Sequence, residues 1–143
     1  MLTLLLKLIV YGHLGFLIEI WFTGIHAVIF EKDKKATAIT YLPMFLVYGF
    51  TALALEGISE ALLWPFYLKA LVYVPIIYGV EFLSGWTIKK LIGTIPWDYK
   101  KGPWTPMGLI NFSYLPFWFL LALGFDAIVS VVRRITLFVI TQI

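Results

Sequence analysis

Four long apolar stretches, separated by short charged or proline-bearing breaks, occupy nearly the whole chain. Each exceeds or approaches the ~20 apolar residues that a helix needs to cross a bilayer. The pattern predicts spans over residues 3–30, 39–55, 61–88 and 108–132. The first reads as a span and not as a cleaved leader: the apolar run is long, Glu19 interrupts it, and no small-residue cleavage site precedes the charges at Glu31–Lys35. Pro43 falls in the first turn of the second span, where a missing N–H does least harm, whereas Pro75 and Pro116 predict kinks. Glu56-Gly57-Ile58-Ser59-Glu60 reads as a tight turn with solvated acids. The tail ITLFVITQI is too short to cross again, and either lies along the membrane or prolongs the fourth helix.

Within these spans the polar residues are not scattered. Helical spacing puts Gly12, Gly15, Glu19, Thr23 and His26 on one stripe of the first span, and Tyr78, Glu81 and Gly85 on one face of the third. Small residues let a second helix approach and polar ones hydrogen-bond across the seam. Measured from Phe30, Glu19 lies about 16 Å down the helix, which places it near the bilayer midplane. A carboxylate at that level costs roughly 2.5–3.5 kcal/mol on insertion scales, so each acid needs a partner, a proton or a wet cavity.

Composition fixes the class. Of 143 residues, 62% are hydrophobic and only 13% charged, against roughly 45–50% and about 25% in soluble domains. The expectation is an all-α polytopic transmembrane bundle, residues 1–143 forming a single integral membrane domain. The membrane it occupies is not encoded here. The net charge of +3 comes from short clusters at span ends and not from a continuous basic face, which argues against nucleic acid and for membrane lipids as partners. The loops after spans one and three hold Lys32, Lys34, Lys35, Lys89, Lys90, Lys100 and Lys101, against Lys7, Lys69, Arg133 and Arg134 on the other side. The positive-inside rule then puts both termini outside. Lys7 and Lys69 also fit the pattern of long side chains that snorkel to the interface.

Candidate chemistry follows from the acids. Glu19 and Glu81, with His13 and Asn111, compose a polar site for a proton, a cation or a polar head group. The competing reading gives the acids inter-helix hydrogen bonds, or a contact from Glu81 to Trp97 or Tyr99. The loop Trp97-Asp98-Tyr99 forms an interfacial element, with Asp98 flanked by lysines that attract anionic lipid at about 1 kcal/mol each. No metal site is expected: His13 and His26 stand about 20 Å apart along one helix. No cofactor is expected, and the serines lack a nucleophile-elbow context. Absence of cysteine removes thiol chemistry.

Two blocks resemble a known group. The first is His13-x-x-Phe16-x-x-Glu19-x-x-Phe22-Thr23. The second is Glu81-Phe82-x-x-Gly85 followed by Pro96-Trp97-Asp98-Tyr99, Met107-Gly108-Leu109-Ile110, Tyr114 and Trp118. In these the chain resembles the transmembrane protein 229 family, a branch of the CmpB-like ABC-transporter type IV membrane proteins. The resemblance implies a small integral membrane protein of four or five spans with no agreed activity. The chain has no G-x-x-x-x-G-K-[ST] loop, so an ATPase would be a separate subunit. The leading expectation is a membrane component that handles a polar or amphipathic solute or ion through its intramembrane carboxylates, alone as a homo-oligomer or beside a larger membrane partner. The alternatives are a non-enzymatic accessory or scaffold subunit and, last, a lipid-modifying enzyme at the interface.

Overall fold

The computed structural model describes residues 1–95, 97, 99 and 104–142. Its described residues are helical or irregular, with four long α-helices: α1 (Leu2–Phe30), α2 (Leu42–Ala61), α3 (Phe66–Ile92) and α4 (Leu115–Thr141). All four are long and apolar enough to cross a membrane. Two single 3₁₀ turns, Pro106–Gly108 and Phe112–Tyr114, precede α4. The chain divides into two compact units, one of residues 1–53 with 132–143, the other of residues 54–131.

Helix boundaries depart from the sequence reading where local chemistry outweighs hydropathy. α2 begins at Leu42 and not at residue 39, because Ile39 and Thr40 spend their hydrogen bonds on α1: the Ile39 amide donates to Thr23 Oγ1 at 3.0 Å. The expected turn at Glu56–Glu60 is instead the last part of α2, and Glu56 is 3% exposed, not solvated. The break falls after Ala61, where Pro65 blocks helical continuation before it and serves as N-cap of α3. Pro75 lies inside α3, which runs through it without interruption. Pro116 is the second residue of α4, a position that needs no N–H, so it starts a helix there and does not kink one. The C-terminal tail prolongs α4 to Thr141. α3 ends on Gly93 at φ 79°, whose amide closes the last turn on the Lys89 carbonyl.

In the first unit, the stripe foreseen on α1 is the seam with α2. A Cβ on Gly12 would stand 2.6 Å from the Phe45 ring, and one on Gly15 only 2.4 Å from Tyr48 Cβ. The glycines are therefore what lets the two helices approach. Residues 36–41 run back along α1: the Ala36 carbonyl faces Gly24, Ile39 is bonded to Thr23, and Thr40 reaches Glu19. Outside the helices, Asp33 receives the amides of Lys35 and Thr37 at 2.9 and 3.0 Å. The Thr37 side chain, then these amides, hold its carboxyl below the ordinary value. Those loop bonds are in place at neutral pH and are lost only as pH falls below the usual carboxylate range.

In the second unit, α3 and α4 run antiparallel, Tyr73 meeting Phe125 at 5.4 Å and Tyr78 meeting Phe112 at 5.1 Å between ring centroids. Buried side chains here include Ala70, Tyr73, Leu109 and Ala122. Apolar surface remains exposed along all four helices, as at Trp21, Leu46, Leu83 and Leu120, the arrangement for a chain solvated by lipid tails.

Gly15→Val should overpack the α1–α2 seam and destabilise the protein by about 1–3 kcal/mol, read as an earlier thermal aggregation midpoint in detergent. Gly57→Ala, where an added methyl meets nothing within 4 Å, should be neutral or stabilising by up to about 1 kcal/mol, because alanine is the better helix former.

Candidate functional site

Glu19 and Glu81 are built into the same local construction, each in its own unit. Each stands eleven residues before the last residue of its helix. Each takes a hydroxyl from the segment that follows that helix: Thr40 donates to Glu19 Oε2, and Tyr99 donates to Glu81 Oε1 at 3.0 Å. Tyr48 is a second partner of Glu19.

This changes the level of Glu19. α2, at 20 residues and 1.5 Å each, is about as long as the ~30 Å hydrocarbon layer is thick. Its start at Leu42 lies just after Thr40, which is bonded to Glu19. The acid is therefore level with the end of the second span and not with its middle. Depth counted from Phe30 misleads because the last third of α1 runs on beside the returning segment.

The Glu81 site is more enclosed. Glu81 is 8% exposed. One turn on, Gly85 has no side chain because the Trp97 indole and Leu109 occupy that space; a Cβ would stand 2.9 and 3.1 Å from them. Trp97 is anchored by donating its Nε1–H to the Leu109 carbonyl at 2.8 Å. The Tyr99 amide bonds the Gly108 carbonyl at 3.2 Å, and its ring meets Tyr114 edge-on at 5.8 Å. The turn that presents these carbonyls needs two left-handed residues in succession, Met107 at φ 53° and Gly108 at φ 72°; only glycine adopts that conformation without cost. Tyr78, on the same stripe of α3, donates to the Asn111 carbonyl at 3.3 Å. Glu81, Gly85, Trp97 and Tyr99 of the second sequence block thus pack together with the turn before α4.

Of the foreseen site residues, Glu81, Trp97 and Tyr99 converge, and Asn111 joins through its backbone. The Asn111 side chain itself caps the 3₁₀ turn, accepting from the Ser113 amide at 3.0 Å. His13 is exposed, with Nδ1 on the carbonyl of Ile9 at 2.8 Å and its ring against Phe45; it shares α1 with Glu19 but is engaged one turn further back. Asp98 lies outside the described residues. Among the described residues, no three His, Asp or Glu side chains converge closely enough to hold a metal ion.

A second polar cluster is absent from the sequence reading. Lys69, 8% exposed, does not snorkel. Its Nζ donates to Asp126 Oδ2 at 2.9 Å, to Ser59 Oγ at 3.1 Å and to the Ser59 carbonyl at 3.0 Å. Asp126 Oδ1 accepts from Ser59 Oγ at 2.8 Å and from the Tyr73 hydroxyl at 3.0 Å. With all three ammonium donors engaged, Lys69 has no lone pair to take the serine proton, so the group is a clamp joining α2, α3 and α4 and not an activated nucleophile. The available signal was a pair of opposite charges in apolar segments, which lipid forces to find one another.

Lys69→Met should strip the cation from a carboxylate and cost about 3–5 kcal/mol, measured as a lowered unfolding midpoint in mixed micelles. The double variant Lys69→Met/Asp126→Leu should recover most of that loss.

No solved structure matches this chain. A family model described as "Putative ABC-transporter type IV" matches residues 6–142. That stretch takes in all of the Glu81–Trp97–Tyr99 cluster, the Glu19 seam and the Lys69 clamp, and the chain belongs to this family of ABC-transporter-related membrane proteins.

Proposed function

We propose that the chain is the membrane-embedded part of a system that handles a polar or amphipathic solute, with Glu81 as its principal contact and Glu19 as a second carboxylate site. The observation that carries this reading is the repeated construction: two acids in apolar helices, each held by a hydroxyl from the segment after its own helix. A hydroxyl reaches each of these carboxylates, whereas a lysine meets Asp126. A hydrogen-bond donor on a solute can take the place of the tyrosine hydroxyl at Glu81 Oε1. In this reading ATP hydrolysis is supplied from outside this stretch, since residues 1–143 hold no phosphate loop.

The scaffold reading assigns the glycine stripes to partner helices. It is less well supported, because Gly12 and Gly15 are already filled by Phe45 and Tyr48, and Gly85 by Trp97 and Leu109.

The test is to purify wild type, Glu81→Gln and Glu19→Gln in mild detergent and to identify retained small molecules by mass spectrometry. Glutamine keeps size and hydrogen bonding and removes the charge. The expected result is a polar or amphipathic molecule enriched over bulk lipid in wild type and reduced about tenfold in Glu81→Gln, the loss of roughly 1.4 kcal/mol, with melting unchanged. Equal retention in Glu81→Gln, with failed assembly only in Glu81→Leu, would make the acid structural.

A further inference from the structure

His13 is engaged through one ring nitrogen and faces outward with the other. It stands six residues before Glu19 on α1, about 9 Å further along the helix at 1.5 Å per residue. That direction leads into the apolar layer, because the neighbouring Gly12 packs on Phe45, inside α2. Nδ1 lies 2.8 Å from the Ile9 carbonyl. A carbonyl oxygen can only accept, so Nδ1 carries the proton and the neutral ring leaves Nε2 as a bare acceptor. Among the described residues no donor reaches Nε2, and the ring's further contact is edge-on to Phe45 at 5.1 Å.

The same residue interrupts an apolar row. Leu5, Ile9, His13, Leu17 and Trp21 follow one another at intervals of four along α1, and all are exposed. Residues four apart form a ridge on a helix surface, and two such ridges interdigitate at a crossing angle of about −50°. This ridge is a different face of α1 from Gly12 and Gly15, which α2 already fills. Lipid tails can cover its apolar members but bring no donor to Nε2. Whatever covers this face must therefore supply a hydrogen-bond donor at the level of His13. A second copy of the chain does so without adjustment. Inserted with the same orientation, it carries its own histidine at the same depth, and a two-fold axis through the ridge sets a residue opposite itself. Other registers leave each imidazole against apolar side chains.

We infer that the chain self-associates through this ridge of α1, the His13 side chains of two copies being hydrogen-bonded to each other. One ring keeps Nδ1–H on the Ile9 carbonyl and accepts at Nε2. The other carries its proton on Nε2 and donates it across the interface. That second ring exchanges its bond to Ile9 for the new one, and the Ile9 carbonyl keeps the backbone N–H one helical turn on. Ile9 and Leu17, a turn to either side, close over the pair. Histidine is among the side chains that hydrogen-bond between membrane helices, where apolar packing alone has no water to escape. The inference is independent of the solute reading: Glu19 lies on the Gly12–Gly15 stripe and Glu81 on α3, neither of them on this ridge.

The chain contains no cysteine, so single cysteines report neighbours without background. Ile9→Cys, Leu17→Cys and, on the exposed side of α4, Leu120→Cys are each placed in the full chain. The purified proteins are reconstituted in phosphatidylcholine vesicles at high lipid-to-protein ratio and oxidised with iodine, which enters the bilayer. The expected result is a disulfide-linked dimer at Ile9→Cys and at Leu17→Cys, at least fivefold above the yield at Leu120→Cys. Adding His13→Leu to Leu17→Cys should lower the yield at least fivefold. Adding His13→Gln, which keeps a donor and an acceptor at that depth, should preserve at least half of it. An unchanged melting midpoint shows that the His13 variants fold, and if His13→Leu does not, the cysteine series with His13 in place decides the geometry. Cross-linking at Leu120 equal to that at Leu17, no dimer at any position, a yield indifferent to His13→Leu, or a loss in His13→Gln as deep as in His13→Leu would each overturn the inference.

Discussion

Everything in this molecule depends on how a polar group survives in an apolar helix. Lipid offers no hydrogen bonds, so each such group must find its partner within the protein or reach water. Tyr99 reaching back to Glu81 is the strongest case. To place that hydroxyl, the chain after α3 must return along the helix, seat Trp97 on Gly85 and turn sharply at Met107–Gly108. The loop is therefore a structural part of α3, and any ligand that competes for the Glu81 carboxylate competes with the bond that holds the loop down.

The same requirement is met differently at Lys69–Asp126. There a cation and an anion meet and two hydroxyls complete the set, leaving nothing for an incoming group. The two clusters share α3 within one unit and divide its work. One is a closed ion pair that fixes three helices; the other is a carboxylate that receives the Tyr99 hydroxyl. Between them along α3, Leu71, Val74 and Pro75 face Leu115, Pro116 and Phe119 of α4 across an apolar groove.

Much of this was legible from residue order. Hydropathy located four helices, because twenty apolar residues in a row have few other fates. Helical periodicity found the Gly12–Gly15–Glu19–Thr23 stripe and the Tyr78–Glu81–Gly85 stripe, because side chains three and four apart share a face whatever the fold. The possibility that Glu81 contacts Trp97 or Tyr99 was open from the sequence. The extension of α2 through Glu60 was not, since a Glu-Gly-Ile-Ser-Glu run looks like a turn until packing buries Glu56. Helix propensity is weak beside such burial.

Sequence alone determined the class, the four spans and which faces carry polar groups, since these follow from local periodicity and the energetic demands of a bilayer. Tertiary structure alone decided the pairings. That Glu19 turns to Thr40, that Lys69 meets Asp126, which lies 57 residues away, and that Leu71 and Phe119 line a common groove depend on how the chain folds back on itself. Contacts between distant residues leave no periodic trace along the chain, so the partner of each buried charge became visible only in three dimensions.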